Sequence, residues 1–370
     1  MDFSTPATLH LPKRIEVGSG TAARLGPWAS RFERVLIVPS RSTRGMAQRL
    51  ALAGDIAFTP DIPAEPKDSD LDAALDAAVR HRPNLIVGLG GGSVMDVAKL
   101  VAVLWDSGQS LSDVVGPSKV NQKCAALAQV ATTAGTGSEG GIRALVSSSE
   151  TGAKLAVESP YMAADIAILD PDLTFTVSPA LTAATGVDAL AHAVEAFTNI
   201  NAHPLVDGYA RLGIGLAGQH LAMASADGDN AEARAGMLLS SFYGGLCLGP
   251  VNTAAGHALA YPLSTRLGLG HGLAVALLFP HVLAFNAEAR PEKTVEILSA
   301  LGIDSADEIA GAVREWCTSL GIYMALEAQG ASATDLRAWA EEAHAIRRLM
   351  DNNPREMSID VAEGIYRDAF

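Results

Sequence analysis

The stretch Asn84-Leu85-Ile86-Val87-Gly88-Leu89-Gly90-Gly91-Gly92-Ser93-Val94-Met95-Asp96-Val97-Ala98-Lys99, continuing as Leu-Val-Ala-Val-Leu-Trp to residue 105, decides the fold of the first half. After Asn84, residues 85–88 are apolar without alternation, so 84–88 reads as a strand buried on both faces. A glycine-rich turn follows at 88–93, and residues 94–105 carry a helical pattern. Outward from this core, residues 34–38 read as a second buried strand ending at Pro39. Residues 71–79 read as an amphipathic helix and residues 125–130 as another strand. Apolar strands alternating with helices predict a parallel sheet covered on both faces, with ligands at the carboxyl ends of its strands.

The texture changes near Asp170-Pro171-Asp172 and Ser178-Pro179. Beyond it, long Ala/Leu-rich helical patterns replace the β-branched runs. Ser178 followed by Pro179 reads as an N-cap with proline at the first helical position. The expected domains are therefore 1–177 and 178–370. No internal repeat or low-complexity tract stands out.

The chain has 370 residues, 49% hydrophobic and 18% charged, enough to bury a sizeable core. With 27 Lys+Arg against 41 Asp+Glu, the formal net charge is −14, a poor match to nucleic acid or an anionic membrane surface. Three cysteines, Cys124, Cys247 and Cys317, are widely spaced without a CxxC, which argues against both a disulfide framework and a thiolate zinc site. The first residues lack an uninterrupted apolar run, and the apolar stretch 272–285 is interrupted by Pro280 and His281. Cytoplasmic localisation, without a membrane span, is the expectation.

Two loops carry candidate ligand chemistry. Gly88-Leu89-Gly90-Gly91-Gly92-Ser93 sits between a predicted strand and a predicted helix. There, glycines let backbone approach a phosphate and the helix N-terminus offers free N–H groups. The run is neither GxGxxG nor a Walker A loop, and a ligand-free tight turn reads from the same residues. Thr132-Thr133-Ala134-Gly135-Thr136-Gly137-Ser138-Glu139 also follows an apolar strand and supplies a dense set of hydroxyl donors. Two such loops at strand ends favour a dinucleotide site over two surface turns.

In the second half, Asp188 and His192 stand four residues apart and share one helix face. Glu195, three further on, reads either as a group supporting a ligand or as a solvated side chain. His257 and His271 sit in small, apolar surroundings. A lone histidine there is usually a core residue, but one carboxylate and three imidazoles suit a divalent transition metal. The remaining six histidines show no partner at ligand spacing.

These motifs together resemble the iron-containing, group III alcohol dehydrogenases. The resemblance rests on residues 90–99 (GGGSVMDVAK), 132–139 (TTAGTGSE), 188–196 (DALAHAVEA), 256–263 (GHALAYPL), 270–272 (GHG) and the ending around Asn353-Pro354-Arg355-Glu356 and Ile365-Tyr366. It implies a Rossmann-like, parallel-sheet α/β dinucleotide-binding domain followed by an all-α helical domain, in a dehydroquinate synthase-like architecture. It implies metal ligands Asp188, His192, His257 and His271, with iron the usual metal and zinc the alternative. Pyrophosphate would sit on Gly91, Gly92 and Ser93. Asp96, Thr132, Thr133, Thr136 and Lys154 match further cofactor-contacting positions. The implied activity is hydride transfer between NAD(P)(H) and a small alcohol or aldehyde, and a homodimer is the implied assembly.

Three positions depart from the family pattern. Ser40 stands where an Asp usually holds the adenosine ribose, so NADP(H) is expected to be accepted, with Arg41 or Arg44 beside its 2′-phosphate. Ala131 replaces a common Pro. Tyr261 replaces a second His near the nicotinamide, and is the candidate catalytic proton relay, although a phenol is a weaker shuttle at neutral pH than an imidazole. Pure packing is the competing role. Among rival functions, a maleylacetate reductase-like, metal-independent reduction of a keto acid stands nearest. For an acidic substrate, Arg143 and Arg266 are the basic residues near the motifs. A non-catalytic dinucleotide sensor lacks an effector segment. A lyase like dehydroquinate synthase lacks that family's basic substrate-binding residues.

Overall fold

The computed structural model describes residues 6–303 and 308–370. In chain order the strands are β1 (Ile15–Val17), β2 (Arg34–Pro39), β3 (Asp55–Phe58), β4 (Leu85–Gly90), β5 (Gly116–Pro117), β6 (Ala126–Ala131), β7 (Arg143–Ser147), β8 (Lys154–Glu158) and β9 (Ile166–Leu169). The main sheet runs β1-β9-β6-β4-β2-β3. Every pair in it is parallel, with Val87 of β4 in register between Ile37 of β2 and Ala128 of β6. The inner strands β2, β4, β6 and β9 are almost wholly apolar because both faces are covered. On one face Leu36, Val38, Ile86 and Leu127 pack with the Asp68–His81 and Gly92–Leu104 helices. On the other, Val35, Ile37, Leu85 and Val87 pack against Leu25, Ala29 and Leu50. A smaller sheet, β5-β8-β7, contains the antiparallel β7–β8 pair.

The strand order decides where a ligand fits. The chain runs from β2 to its neighbour β3, then crosses back to β4 on the other side of β2. The direction of winding reverses between β2 and β4, and such a reversal opens a crevice at the carboxyl ends of the two strands.

Residues Leu9–Thr176 form one compact unit, and Val177–Phe370 form the body of a second. The described part of the second is built from helices. Its central helix, Pro179–Thr198, starts where Ser178 Oγ accepts a hydrogen bond from Leu181 N, with proline at its first position. From Thr182 onward nearly every residue of this helix is buried, because the helices Pro204–Ala226, Ala231–Leu248 and His271–Ala287 surround it. None of the described helices is long and apolar enough to cross a membrane. All three cysteines are free thiols. Burial pushes Cys247 and Cys317 up to about 12, which leaves them as inert core residues.

Candidate functional site

In the first unit, the residues at the ends of β2, β4 and β6 come together. Gly91 is the N-cap of the Gly92–Leu104 helix and no side chain caps that end. The first N–H groups of the helix are thus left for another acceptor. A β-carbon on Gly92 would lie 2.5 Å from Thr136 Cγ2, so glycine there is what lets the second loop pack on the first. Thr132 N donates to Gly90 O, continuing the sheet pairing into the loop. Thr132 is buried, while Thr133, Thr136, Gly91, Gly92 and Ser93 keep partial exposure. At the end of β2, Ser40 N donates to Thr43 Oγ1, and Thr43 Oγ1 donates to Leu89 O at 2.7 Å. Thr43 therefore pins the Ser40 turn to the glycine loop across the crevice, a role that no local motif announced.

Beneath these loops lies a buried polar knot. Asp96 accepts from Ser138 Oγ at 2.6 Å and Leu145 N at 2.9 Å. Lys99 Nζ donates to Ser138 Oγ and Arg143 O, both at 2.7 Å, and lies 3.8 Å from Asp96. Burial pushes Asp96 above and Lys99 below their ordinary ranges, each partly offset by the other's charge. Within the described residues, then, Asp96 holds the second loop in place. Glu139, at the end of that loop, is fully buried, and neither carboxylate oxygen has a hydrogen-bond partner beyond its own backbone. Burial pushes it up to about 7, against a backbone hydrogen bond and Lys99. Lys154 lies on β8 and pairs with Glu65.

In the second unit, three helices converge on one point. Asp188 and His192 lie one turn apart on the Pro179–Thr198 helix. His257 is in the first turn of the Ala255–Leu267 helix, and His271 is the first residue of the His271–Ala287 helix. Asp188 Oδ1 lies 4.0 Å from His192 Nε2, 3.5 Å from His257 Nε2 and 3.7 Å from His271 Nε2. One ligand atom from each residue lies within 4.8 Å of all the others. Metal–nitrogen and metal–oxygen bonds of about 2.0–2.2 Å would hold such atoms about 3–4 Å apart.

Glu195 supports this cluster. Its carboxylate accepts from Ala254 N and from His257 N, capping the helix that carries His257. Its Oε2 lies 3.2 Å from His257 Nδ1, the partner a metal-binding imidazole needs on its far nitrogen. A β-carbon on Gly256 would lie 2.2 Å from Glu195 Oε1, so only glycine admits the carboxylate.

The electrostatics report an unmet demand for positive charge. Asp188 Oδ1 and both His257 nitrogens are buried without a hydrogen bond of good geometry. Desolvation would raise the Asp188 carboxyl, but His192, His271 and His257 together hold it well below the usual range. Burial holds His192 down to about 4. Burial also opposes charge on His257, yet Glu195 and Asp188 override it and push that imidazole up to about 10. Two buried carboxylates thus draw in a cation of some kind, and the four ligand atoms fit a divalent metal.

Tyr261 lies beside the cluster, its ring 6.0 Å from the His271 ring. Its hydroxyl accepts from Arg348 Nη2 at 3.0 Å. Arg348 sits 87 residues downstream of Tyr261 in no recognisable motif. The two basic residues singled out from sequence are spent elsewhere. Arg143 pairs with Glu158 at 2.6 Å and Arg266 with Glu342 at 3.0 Å.

The iron-containing alcohol dehydrogenase model matches residues 12–171, and the C-terminal model of the Fe-containing alcohol dehydrogenase family matches 182–370. Long-chain-alcohol dehydrogenase 1 of Geobacillus thermodenitrificans is 31% identical over 98% of this chain and 97% of its own. Sulfoacetaldehyde reductase of Bilophila wadsworthia is 34% identical over 80% of this chain and 79% of its own. A crystal structure of 1,3-propanediol oxidoreductase superposes with a TM-score of 0.94 at 29% identity, covering 99% of this chain and all of the other. One of sulfoacetaldehyde reductase from Bifidobacterium kashiwanohense, in complex with NAD+, gives 0.89 at 28% identity and 99% coverage of both chains. The chain therefore belongs to the iron-containing alcohol dehydrogenase family.

Proposed function

We propose that this chain catalyses reversible hydride transfer between a nicotinamide dinucleotide and a small alcohol or aldehyde, with a divalent cation on Asp188, His192, His257 and His271. The observation that carries the reading is the buried Asp188 Oδ1, left without a donor while three imidazole Nε2 atoms approach it at 3.5–4.0 Å. A cation held there would supply Lewis acidity toward an alcohol or carbonyl oxygen, and a bound nicotinamide would supply the hydride chemistry. The chain's own residues bind, orient and move protons. Gly91, Gly92 and Ser93 offer N–H groups to a pyrophosphate. Thr132, Thr133 and Thr136 add hydroxyls, and Asp96 fixes their loop through Ser138 and Leu145. Lys154 would turn from Glu65 toward the nucleotide. The Tyr261 hydroxyl exchanges a proton with the product oxygen. Three nitrogens and one carboxylate accommodate iron or zinc, and iron is the metal of the family.

At the end of β2 the ribose-facing position is Ser40, so no carboxylate repels a 2′-phosphate. Arg44 is engaged by Asp61 at 2.7 Å, which leaves the exposed Arg41 as the phosphate partner in this reading. We therefore include NADP(H) beside NAD(H). Metal-independent reduction of maleylacetate is not favoured, because the whole ligand quartet assembles. Relatives named for sulfoacetaldehyde, long-chain alcohols and 1,3-propanediol keep the substrate at the level of a class. Cytoplasmic residence and a homodimer complete the reading.

Metal analysis of chelator-free protein, with turnover of aldehydes by NADH and NADPH, tests it. The expected result is close to one iron or zinc per chain, NADPH oxidation at least comparable to NADH, and a loss of metal with an about 1000-fold fall in kcat/KM in His257→Ala. Turnover that persists in metal-free protein would sink it.

A further inference from the structure

We propose that Arg348 anchors a negatively charged group of the substrate, so that the preferred aldehyde or alcohol carries a carboxylate, sulfonate or phosphonate on its far end. The inference rests on the hydride-transfer reading for the identity of the reacting group, but its geometry stands independently. Asp188, His192 and His257 have side chains no more than 6% exposed, whereas His271 keeps 27%. Within this unit the ligand cluster is thus reached from the His271 side. Tyr261 lies on that side, and Arg348 lies on Tyr261. Its guanidinium carbon is 5.8 Å from the ring centroid, and Nη2 is 3.0 Å from the hydroxyl. A continuous path therefore runs from a ligand imidazole, over a phenol, to a guanidinium.

Arg348 is exposed and, among the described residues, no carboxylate pairs with it. Its neighbours behave otherwise: Arg266 pairs with Glu342, Arg347 with Asp351, Arg337 with Asp360 and Arg355 with Glu288. In a chain of net charge −14, a guanidinium without a carboxylate partner, one aromatic ring removed from the ligand cluster, has no structural debt to settle. Its backbone is anchored, with Arg348 O accepting from Asn352 Nδ2 at 3.0 Å. Leu349 and Met350 are buried beside it, Asn352 Nδ2 donates to Thr253 O at 2.9 Å, and Asn353 exchanges hydrogen bonds with Asn286 at 2.8 and 3.0 Å. One of five guanidinium donors is used on Tyr261, and the fork of the remainder matches an oxyanion.

The test compares initial rates on 4-oxobutanoate against butanal, and on glyoxylate against acetaldehyde, for wild type, Arg348→Met and Arg348→Lys. The wild type is expected to favour the anionic member of each pair in kcat/KM. Arg348→Met should lower the anionic-to-neutral ratio by about 10- to 100-fold, and Arg348→Lys by less, because it keeps the charge and loses the fork. Sulfoacetaldehyde and phosphonoacetaldehyde, run alongside, rank the three oxyanions. An unchanged ratio in Arg348→Met overturns the proposal. Calorimetric binding of 4-hydroxybutanoate separates it from the reading it rests on. Binding to wild type that Arg348→Met abolishes supports the anion site even if no aldehyde is reduced. Binding that is absent from wild type, or equal in both proteins, overturns it.

Discussion

The candidate ligand region of the sheet unit and that of the helical unit are made of different material. At the ends of β4 and β6 the groups on offer are mainly backbone N–H and short hydroxyls, arranged by glycines that let two loops touch. In the helical unit they are four side chains from three helices, three of them buried, and short of positive charge. A backbone site tolerates changes of side chain but not of space. A side-chain site tolerates changes of space at its margin but not the loss of one donor, since each removal leaves another buried group unpaired. The two regions should therefore fail in separable ways.

The sharpest separation is expected from Glu195→Gln. The amide keeps the volume beside Gly256, but its single carbonyl oxygen can accept from only one of Ala254 N and His257 N, and it removes the charge next to His257 Nδ1. Metal affinity, measured by competition with a chromogenic chelator, should fall about 10- to 100-fold. Dinucleotide affinity, read by fluorescence quenching, should stay put. Equal metal affinity in the variant would reduce Glu195 to a helix cap. The converse variant is Gly92→Ala, whose new methyl meets Thr136 at 2.5 Å. Dinucleotide affinity should weaken about tenfold, the order expected from losing one well-made hydrogen bond to a charged group, with metal content intact. A variant that lost both ligands together would break the comparison.

How much of this was readable in the residues follows the same division. Strands β2, β4 and β6 overlap the runs read from sequence and extend one or two residues past them, because burial on both faces makes them almost wholly apolar. The β7–β8 pair was missed: in β7 buried and half-buried residues alternate over only five positions, too short a pattern to separate from loop. The edge strands β1 and β3, of three and four residues, gave no signal for the same reason. The loops were legible because glycine and threonine cluster locally. The quartet was legible as residue types but not as a place, since Asp188 and His271 meet only through helix packing. Thr43, Glu195 as a partner of His257, and Arg348 owe their roles to contacts 46, 62 and 87 residues away in sequence, where no local pattern reaches.

Tyr261→Phe tests the chemistry rather than the binding. The hydroxyl between Arg348 and the open side of the cluster is removed while the ring beside His271 is kept. If the phenol passes protons, kcat should fall by about 10²-fold, the lower end of general acid–base contributions, with a change in the shape of its pH profile. If it only packs, both should match the wild type.

The smallest effect concerns stability, and it lies in the sheet unit. Glu139 ends the Thr/Gly loop as a buried carboxyl pushed up to about 7 from an ordinary 4.5. A carboxyl whose folded value is raised binds its proton more tightly in the native state, so ionising it at neutral pH costs stability. Below about pH 4.5 the group is protonated in both states and there is no penalty. The penalty grows as pH rises from there to about 7 and is complete above it. At 1.36 kcal/mol per unit it reaches about 3 kcal/mol at most, a figure that already includes the pull of Lys99. Glu139→Gln removes the charge at nearly constant volume. The variant should therefore melt about 2–4 °C above wild type at pH 8 and at the same temperature near pH 4.5. A gain that is the same at both pH values would point to better packing. A loss at pH 8 would mean that the carboxylate is wanted in its charged form, and that the loop keeps an unfavourable group for a ligand it has yet to meet.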